Sequence, residues 1–167
     1  METIEVVIEI PQGSRNKYEF DHDSGAIRLD RVLHSAVHYP TDYGFIPETL
    51  SKDGDPLDVL LIVLEPTFPG CHVEARPIGV LHMRDEKGED EKILAVPVGE
   101  PRLSDINSLH GLPLHWLAEI KNFFATYKLL EEKDTEVLGW ADRDRALEII
   151  DESRVSEGQA TATVSPH

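Results

Sequence analysis

Asp53-Gly54-Asp55-Pro56-Leu57-Asp58 runs straight into Val59-Leu60-Leu61-Ile62-Val63-Leu64, and this junction decides how the chain is read. Gly54 and Pro56 interrupt the three carboxylates, so the first half is a turn and not a helix. The second half is an unbroken apolar run, the pattern of a strand covered on both faces. An acidic turn is thereby sewn to a core element. Like charges held close repel, and each resists burial. A divalent cation is the simplest remedy.

The kind of cation follows from what surrounds the turn. A calcium-binding EF-hand loop needs Gly at its sixth position and Glu at its twelfth, where this turn has Asp58 and Leu64. Zinc held by Cys or His fails as well, because Cys71 is the single cysteine and no histidine pair stands at a ligand spacing near it. All-oxygen ligation suits magnesium or manganese first, and Mg²⁺ is typically held by one or two carboxylates together with substrate phosphate.

A length of 167 residues predicts one domain with a normal core. Thirty-two acidic residues against 16 basic give a net charge of −16, which argues against nucleic acid and against an anionic membrane as partners. No apolar run is long enough to span a bilayer and Met1-Glu-Thr-Ile is no signal peptide, so a cytoplasmic protein is expected.

Outward from the acidic turn, period-2 patterns dominate. Ile4, Val6, Ile8 and Ile10 share one face of a strand, and Lys17 to Asp21 resumes the alternation, so the two read as a hairpin whose polar face holds Glu9, Lys17 and Glu19. Ala26 to Val32 makes a further strand. His38 to Pro47 reads as irregular, because Pro40 and Pro47 exclude a helix. Val73 to Arg84 and Lys92 to Val98 read as strands flanking a tight acidic tip, with Pro77 marking an edge or a bulge. At least five strands with short turns predict a small closed barrel. The period then changes. A short helical turn is expected at Ser104. Leu114, Leu117, Ile120 and Phe124 recur at helical spacing, giving a helix from about Leu112 to Lys128. Thr135 to Trp140 is a possible extra strand, and a second helix capped by Asp142 runs to about Arg154, with Ala146, Leu147 and Ile150 inward. The fold class is α+β, mainly β: a five-stranded barrel with two flanking helices, over residues 1–155. Residues 156–167 read as a disordered tail.

Glu9, Glu19, Asp53, Asp55, Asp58, Asp85 and Asp90 all fall near strand ends, as do the cations Lys17, Arg31, Lys92 and Lys128 and the phenols Tyr39, Tyr43 and Tyr127. Brought to one face, they would alternate metal ligands with anion clamps. No phosphate-loop or dinucleotide fingerprint accompanies them, so the phosphate compound need carry no base or sugar.

The sequence resembles the bacterial type of family I soluble inorganic pyrophosphatase. Asp53 to Val59 fits that family's signature at every position. It is joined in order by Ile8-Glu-Ile-Pro11, Lys17-Tyr-Glu19, Asp30-Arg31, Tyr39-Pro-x-x-Tyr-Gly44, Asp85-Glu-x-Gly-x-Asp-x-Lys92 and Phe124-x-x-Tyr-Lys128. The resemblance implies an OB-like barrel, a homohexamer and Mg²⁺-dependent hydrolysis of pyrophosphate, with Mn²⁺ or Zn²⁺ as substitute ions. Asp53, Asp58 and Asp90 would hold the metal nearest the attacking water, and Asp58 would also reach a second. Glu9, Asp85 and Asp90 would help hold the ions that arrive with substrate. Lys17, Arg31, Tyr43, Tyr127 and Lys128 would clamp phosphate oxygens with help from Lys92, and Glu19 and Tyr39 would support them. Asp55 is the first choice for the base that takes the water's proton, with Asp90 as its competitor. His22 and Lys87 depart from the pattern in turns beside the site and read as surface decoration. Two other readings stay open at this stage, a hydrolase of another phosphoanhydride and a non-catalytic OB-like barrel that binds a ligand or partner.

Overall fold

The apolar run behind the acidic turn is a strand, but a shorter one than its hydrophobicity implies. The computed structural model, which describes residues 2–155, gives β5 as Asp58–Leu61. Val59, Leu60 and Leu61 are each fully buried. Val59 and Leu61 join Val6, Ile8, Ile93 and Ala95 in one apolar cluster, while Leu60 joins Leu94 and Val96 in the other. Burial on both faces explains why the run lacks any alternation.

The remaining strands are β1 (Ile4–Ile10), β2 (Asn16–Phe20), β3 (Ile27–Val32), β4 (Asp42–Phe45), β6 (His72–Asp85), β7 (Gly88–Pro97) and β8 (Glu136–Asp142). Neighbours run β1-β4-β5-β7-β6, and β6 pairs back onto β1, which closes a ring of five strands. The expected OB-like barrel is therefore present. The extra strand at Thr135 to Trp140 exists as β8, added to β6 outside the ring. Pro77 sits where β6 slips register against β7, between the stretch that pairs with β1 and the stretch that pairs with β8. A break in register of this kind is where a strand tolerates proline.

Two helices flank the ring, α1 (Leu114–Thr126) and α2 (Arg143–Ser153). The side chain of Asp142 caps α2, accepting from the N–H of Arg143 at 2.8 Å and also from that of Leu109 at 3.1 Å. Ala146, Ile149 and Ile150 of α2 pack on one cluster, and Ile120, Phe123 and Phe124 of α1 on the other.

Four local expectations need correction. The segment Lys17 to Asp21 does not pair with β1. Both edges of β1 are taken by β4 and β6, so β2 pairs with β3 as a separate hairpin. The stretch read as irregular holds β4, squeezed between Pro40 and Pro47 and too short for its alternation to show. Helical turns lie at Pro101–Leu103 and Leu109–Gly111, on either side of the one expected to begin at Ser104. Leu114, placed on the buried face of α1, is 82 % exposed; the apolar stripe begins at Leu117, which packs on the core, and continues through Ile120, Phe123 and Phe124. The tail read over residues 156–167 lies outside the described residues.

Candidate active site

One mouth of the ring carries nearly all the predicted residues. Glu9 comes from the end of β1, Tyr43 from β4, Asp58 from the start of β5, Asp85 from the end of β6, and Asp90 and Lys92 from β7. Lys17 and Glu19 reach over from β2, Tyr127 and Lys128 stand just past the end of α1, and Asp53 and Asp55 belong to the acidic turn. These twelve side chains line one cleft of about 410 Å³. Tyr39 and Arg31 do not line it. Tyr39 is buried beneath it, its ring 5.5 Å from that of Tyr43 and 4.7 Å from that of Phe123. Arg31 lies beside it, paired with Asp30 and, at 3.0 Å, with Glu131.

Lys92 forms the floor. Its Nζ lies 3.0 Å from Asp58 Oδ2, 3.0 Å from Asp90 Oδ2 and 2.7 Å from Tyr43 Oη, with only 2 % of the side chain exposed. It also stands over the rings of Tyr43 and Phe124, at 4.9 and 5.2 Å from their centroids. Burial opposes the Lys92 charge, but Asp58 and Asp90 outweigh it and hold the ammonium well above its ordinary value. Burial pushes the Asp58 carboxyl up to about 6 against the pull of Lys92, with repulsion from Asp90 adding to it. The proton stays on Lys92, and Asp58 is the member of the pair that titrates first.

Toward the rim the acids are only partly satisfied. Glu9 accepts one bond from the N–H of Phe20 at 2.8 Å, yet burial raises its carboxyl to about 7, with Asp58 contributing. Burial and the neighbouring Asp53 raise Asp55 as well. Asp53 Oδ1 accepts from the N–H of Asp55 at 3.0 Å and from the Ser51 hydroxyl, which fixes the turn. Burial raises Tyr43 and Tyr127, with Asp58 adding to it for Tyr43 and Asp90 for Tyr127, so both remain neutral phenol donors. Also at the rim, Lys17 meets Glu19 at 2.6 Å, and Lys128 meets Glu86 at 3.4 Å and Asp85 at 3.9 Å.

This donor set fits hard divalent ions. Every candidate ligand is a carboxylate, and Glu9, Asp55 and Asp58 hold their protons more tightly than usual, through burial first and neighbouring carboxylates second. Among the described residues no three His, Cys, Asp or Glu side chains close round a single point. The carboxylates stand apart round the cleft, with the Lys92 ammonium between two of them.

Sequence reasoning passed over Glu86 and Glu131. It placed His22 and Lys87 as surface residues in turns beside the site, and both are exposed there while also lining the cleft. His22 packs its ring on Phe20 and Phe45, at 4.9 and 5.2 Å. The alternation of β2 gave no hint of this contact, because Phe45 comes from a strand on another sheet.

Among the described residues no helix is long and apolar enough to cross a membrane. The profile of the inorganic pyrophosphatase family matches residues 6–156. An inorganic pyrophosphatase of Synechocystis sp. is 56 % identical over 149 residues, covering 89 % of this chain and 88 % of that protein. One from Methanosarcina mazei is 52 % identical over the same length, covering 89 % and 88 %. The crystal structure of inorganic pyrophosphatase from Thermus thermophilus superposes with a TM-score of 0.89 at 49 % identity, covering 91 % of this chain and 89 % of that one. With fold, cleft and sequence in agreement over nearly its whole length, the chain belongs to the family I inorganic pyrophosphatases.

Proposed function

We propose that this protein hydrolyses inorganic pyrophosphate to two orthophosphates, with Mg²⁺ as its working ion and Mn²⁺ or Zn²⁺ as substitutes. The observation that carries this reading is the apposition, within one cleft, of eight carboxylates to Lys17, Lys92, Lys128, Tyr43 and Tyr127. Asp53, Asp58 and Asp90 would hold the resident ions, and Glu9 and Asp85 those that enter with substrate. When bound, such ions lower the pKa of a shared water and offset phosphate charge.

The chain's own residues supply the rest. Water oxygen attacks one phosphorus in line, the bridging P–O bond breaks, and the second phosphate leaves with the bond's electron pair. Asp55 takes the proton of the attacking water. Its raised carboxyl makes it the better base, whereas Asp90 is engaged by Lys92 at 3.0 Å. Lys17, Arg31, Lys128 and the two phenols donate to the phosphate oxygens, where charge spreads during phosphoryl transfer. Glu19 meets Lys17, and Tyr39 packs on Tyr43, so both act as supports.

We further propose a cytoplasmic homohexamer. Leu129 and Leu130, 63 % and 67 % exposed directly after Lys128, favour cover by a neighbouring copy. Sedimentation tests the assembly. Phosphate release from pyrophosphate, with and without Mg²⁺ and beside ATP and tripolyphosphate, tests the activity. Strong preference for ATP would overturn the substrate, and undiminished turnover after Asp58→Asn would overturn the metal assignment.

A further inference from the structure

Arg31 is held by a carboxylate that the proposed chemistry does not use. Glu131 closes the turn Leu129–Glu131 that follows α1, and its Oε1 lies 3.0 Å from Arg31 Nη2. Its side chain is 5 % exposed, far less than the ordinary surface ion-pair partner. Glu131 Oε2, Arg31 Nε and Arg31 Nη2 are all buried without an aligned hydrogen bond. On the other side Asp30 takes Arg31 Nη1. Asp30 and Glu131 thus hold the guanidinium from its two Nη ends, and Nε is left without a partner.

The position of this pair gives it a purpose. Hairpin β2–β3 carries Lys17 and Arg31 at directly opposed positions, and forms no ladder with the ring. Backbone bonds between Tyr39 and residues Gly13 and Ser14 anchor its base, and side-chain ties help set its placement over the cleft. The turn at Leu129–Glu131 is bonded to the residue it must register, since the N–H of Glu131 donates to the carbonyl of Lys128 at 3.0 Å. The Arg31–Glu131 pair thus links the half of the clamp that holds Lys17 and Arg31 to the half that holds Tyr127 and Lys128.

We infer that Glu131 is a positioning residue: it fixes Arg31 and, through it, the β2–β3 hairpin, so that both halves of the phosphate clamp meet one pyrophosphate. Neutralising Glu131 lets the guanidinium turn away and the hairpin drift. A misplacement of this kind weakens substrate capture by roughly ten- to a hundred-fold. The inference rests on the pyrophosphatase reading above.

The test is a double-mutant cycle on the full-length protein, with Glu131→Gln, Arg31→Ala and the double variant. Steady-state KM and kcat for magnesium pyrophosphate are measured beside calorimetric binding of imidodiphosphate. Glu131→Gln should raise KM and the imidodiphosphate Kd at least ten-fold with a smaller change in kcat, should leave the Mg²⁺ activation midpoint unchanged, and should add nothing in the Arg31→Ala background. Glu131→Asp, which keeps the charge, should recover part of the loss. Additive effects in the two backgrounds, an unchanged or lower KM in Glu131→Gln, or no effect of Arg31→Ala would overturn the inference. Inactive wild-type protein would instead overturn the pyrophosphatase reading. If Glu131→Gln unfolds at the assay temperature, Glu131→Asp decides alone, its imidodiphosphate affinity falling or holding in the folded protein.

Discussion

Lys92 and Asp58 stand directly opposite one another in the parallel β5–β7 ladder, and their side chains meet at 3.0 Å in the floor of the cleft. Strand register alone brings this pair together. Lys92 serves Asp90 at the same distance, so one ammonium separates two acids that would otherwise repel. Lys92→Met should therefore leave two partly buried negative charges facing each other. Breaking a buried pair from one side costs about 3–5 kcal/mol. Urea unfolding in EDTA should show that loss, and added Mg²⁺ should recover part of it. An unchanged midpoint would mean that the pair contributes nothing net.

Gly44→Ala should be among the most damaging small changes in the protein. A Cβ at Gly44 would lie 2.0 Å from the carbonyl oxygen of Val7 in the neighbouring strand, which is backbone and cannot swing aside. Relief requires β4 to part from β1, and the ring opens where Tyr43 must point into the cleft. A loss of about 3 kcal/mol is expected. Thermal unfolding of the variant measures it, and a shift of less than a degree would refute the packing argument.

That glycine shows where the sequence was legible and where it was not. The buried strand β5 was readable because burial on both faces leaves a continuous apolar run. The acidic turn was readable because Gly54 and Pro56 exclude a helix. The ring was inferable from strand number, and the site residues sit at strand ends where the patterns break. What failed was pairing. The sequence does not reveal that β1 has no free edge, so β2 was assigned to the wrong neighbour. A four-residue strand such as β4 carries too few alternations to be seen, and Glu131 lies in a turn with nothing to distinguish it from its neighbour Glu132.

Asp42 is fully buried at the start of β4, and it accepts from the Gln12 N–H at 2.7 Å, the Thr67 N–H at 3.2 Å and the Thr67 hydroxyl at 2.5 Å. It ties the loops after β1 and β5 to the strand that carries Tyr43. Asp42→Ala should orphan all three donors and destabilise by about 3 kcal/mol, while Asp42→Asn, which keeps one carbonyl, should lose about half of that. The two variants compared by urea unfolding check the order. Equal losses would show that charge, rather than donor satisfaction, is what Asp42 contributes.

The acids of the cleft make a prediction about pH. Glu9 rises from 4.5 to about 7 on folding, and Asp58 from 3.8 to about 6, mainly through burial. A carboxyl raised in this way favours the folded chain while it keeps its proton. That contribution is fully present below about pH 4 and is lost as pH rises to about 7. Glu9 alone accounts for a change on the order of 3 kcal/mol. Asp30 opposes it only at low pH, because its lowered carboxyl loses its stabilising charge on acidification. In EDTA the protein should therefore be less stable at pH 8 than at pH 5.5. A divalent ion must displace these same protons, so Mg²⁺ should bind more tightly, and raise the melting temperature further, at pH 8 than at pH 5.5. Glu9→Gln should flatten the EDTA profile between pH 5 and 7. Equal Mg²⁺ stabilisation at both pH values would mean that Glu9 and Asp58 are not the ligands.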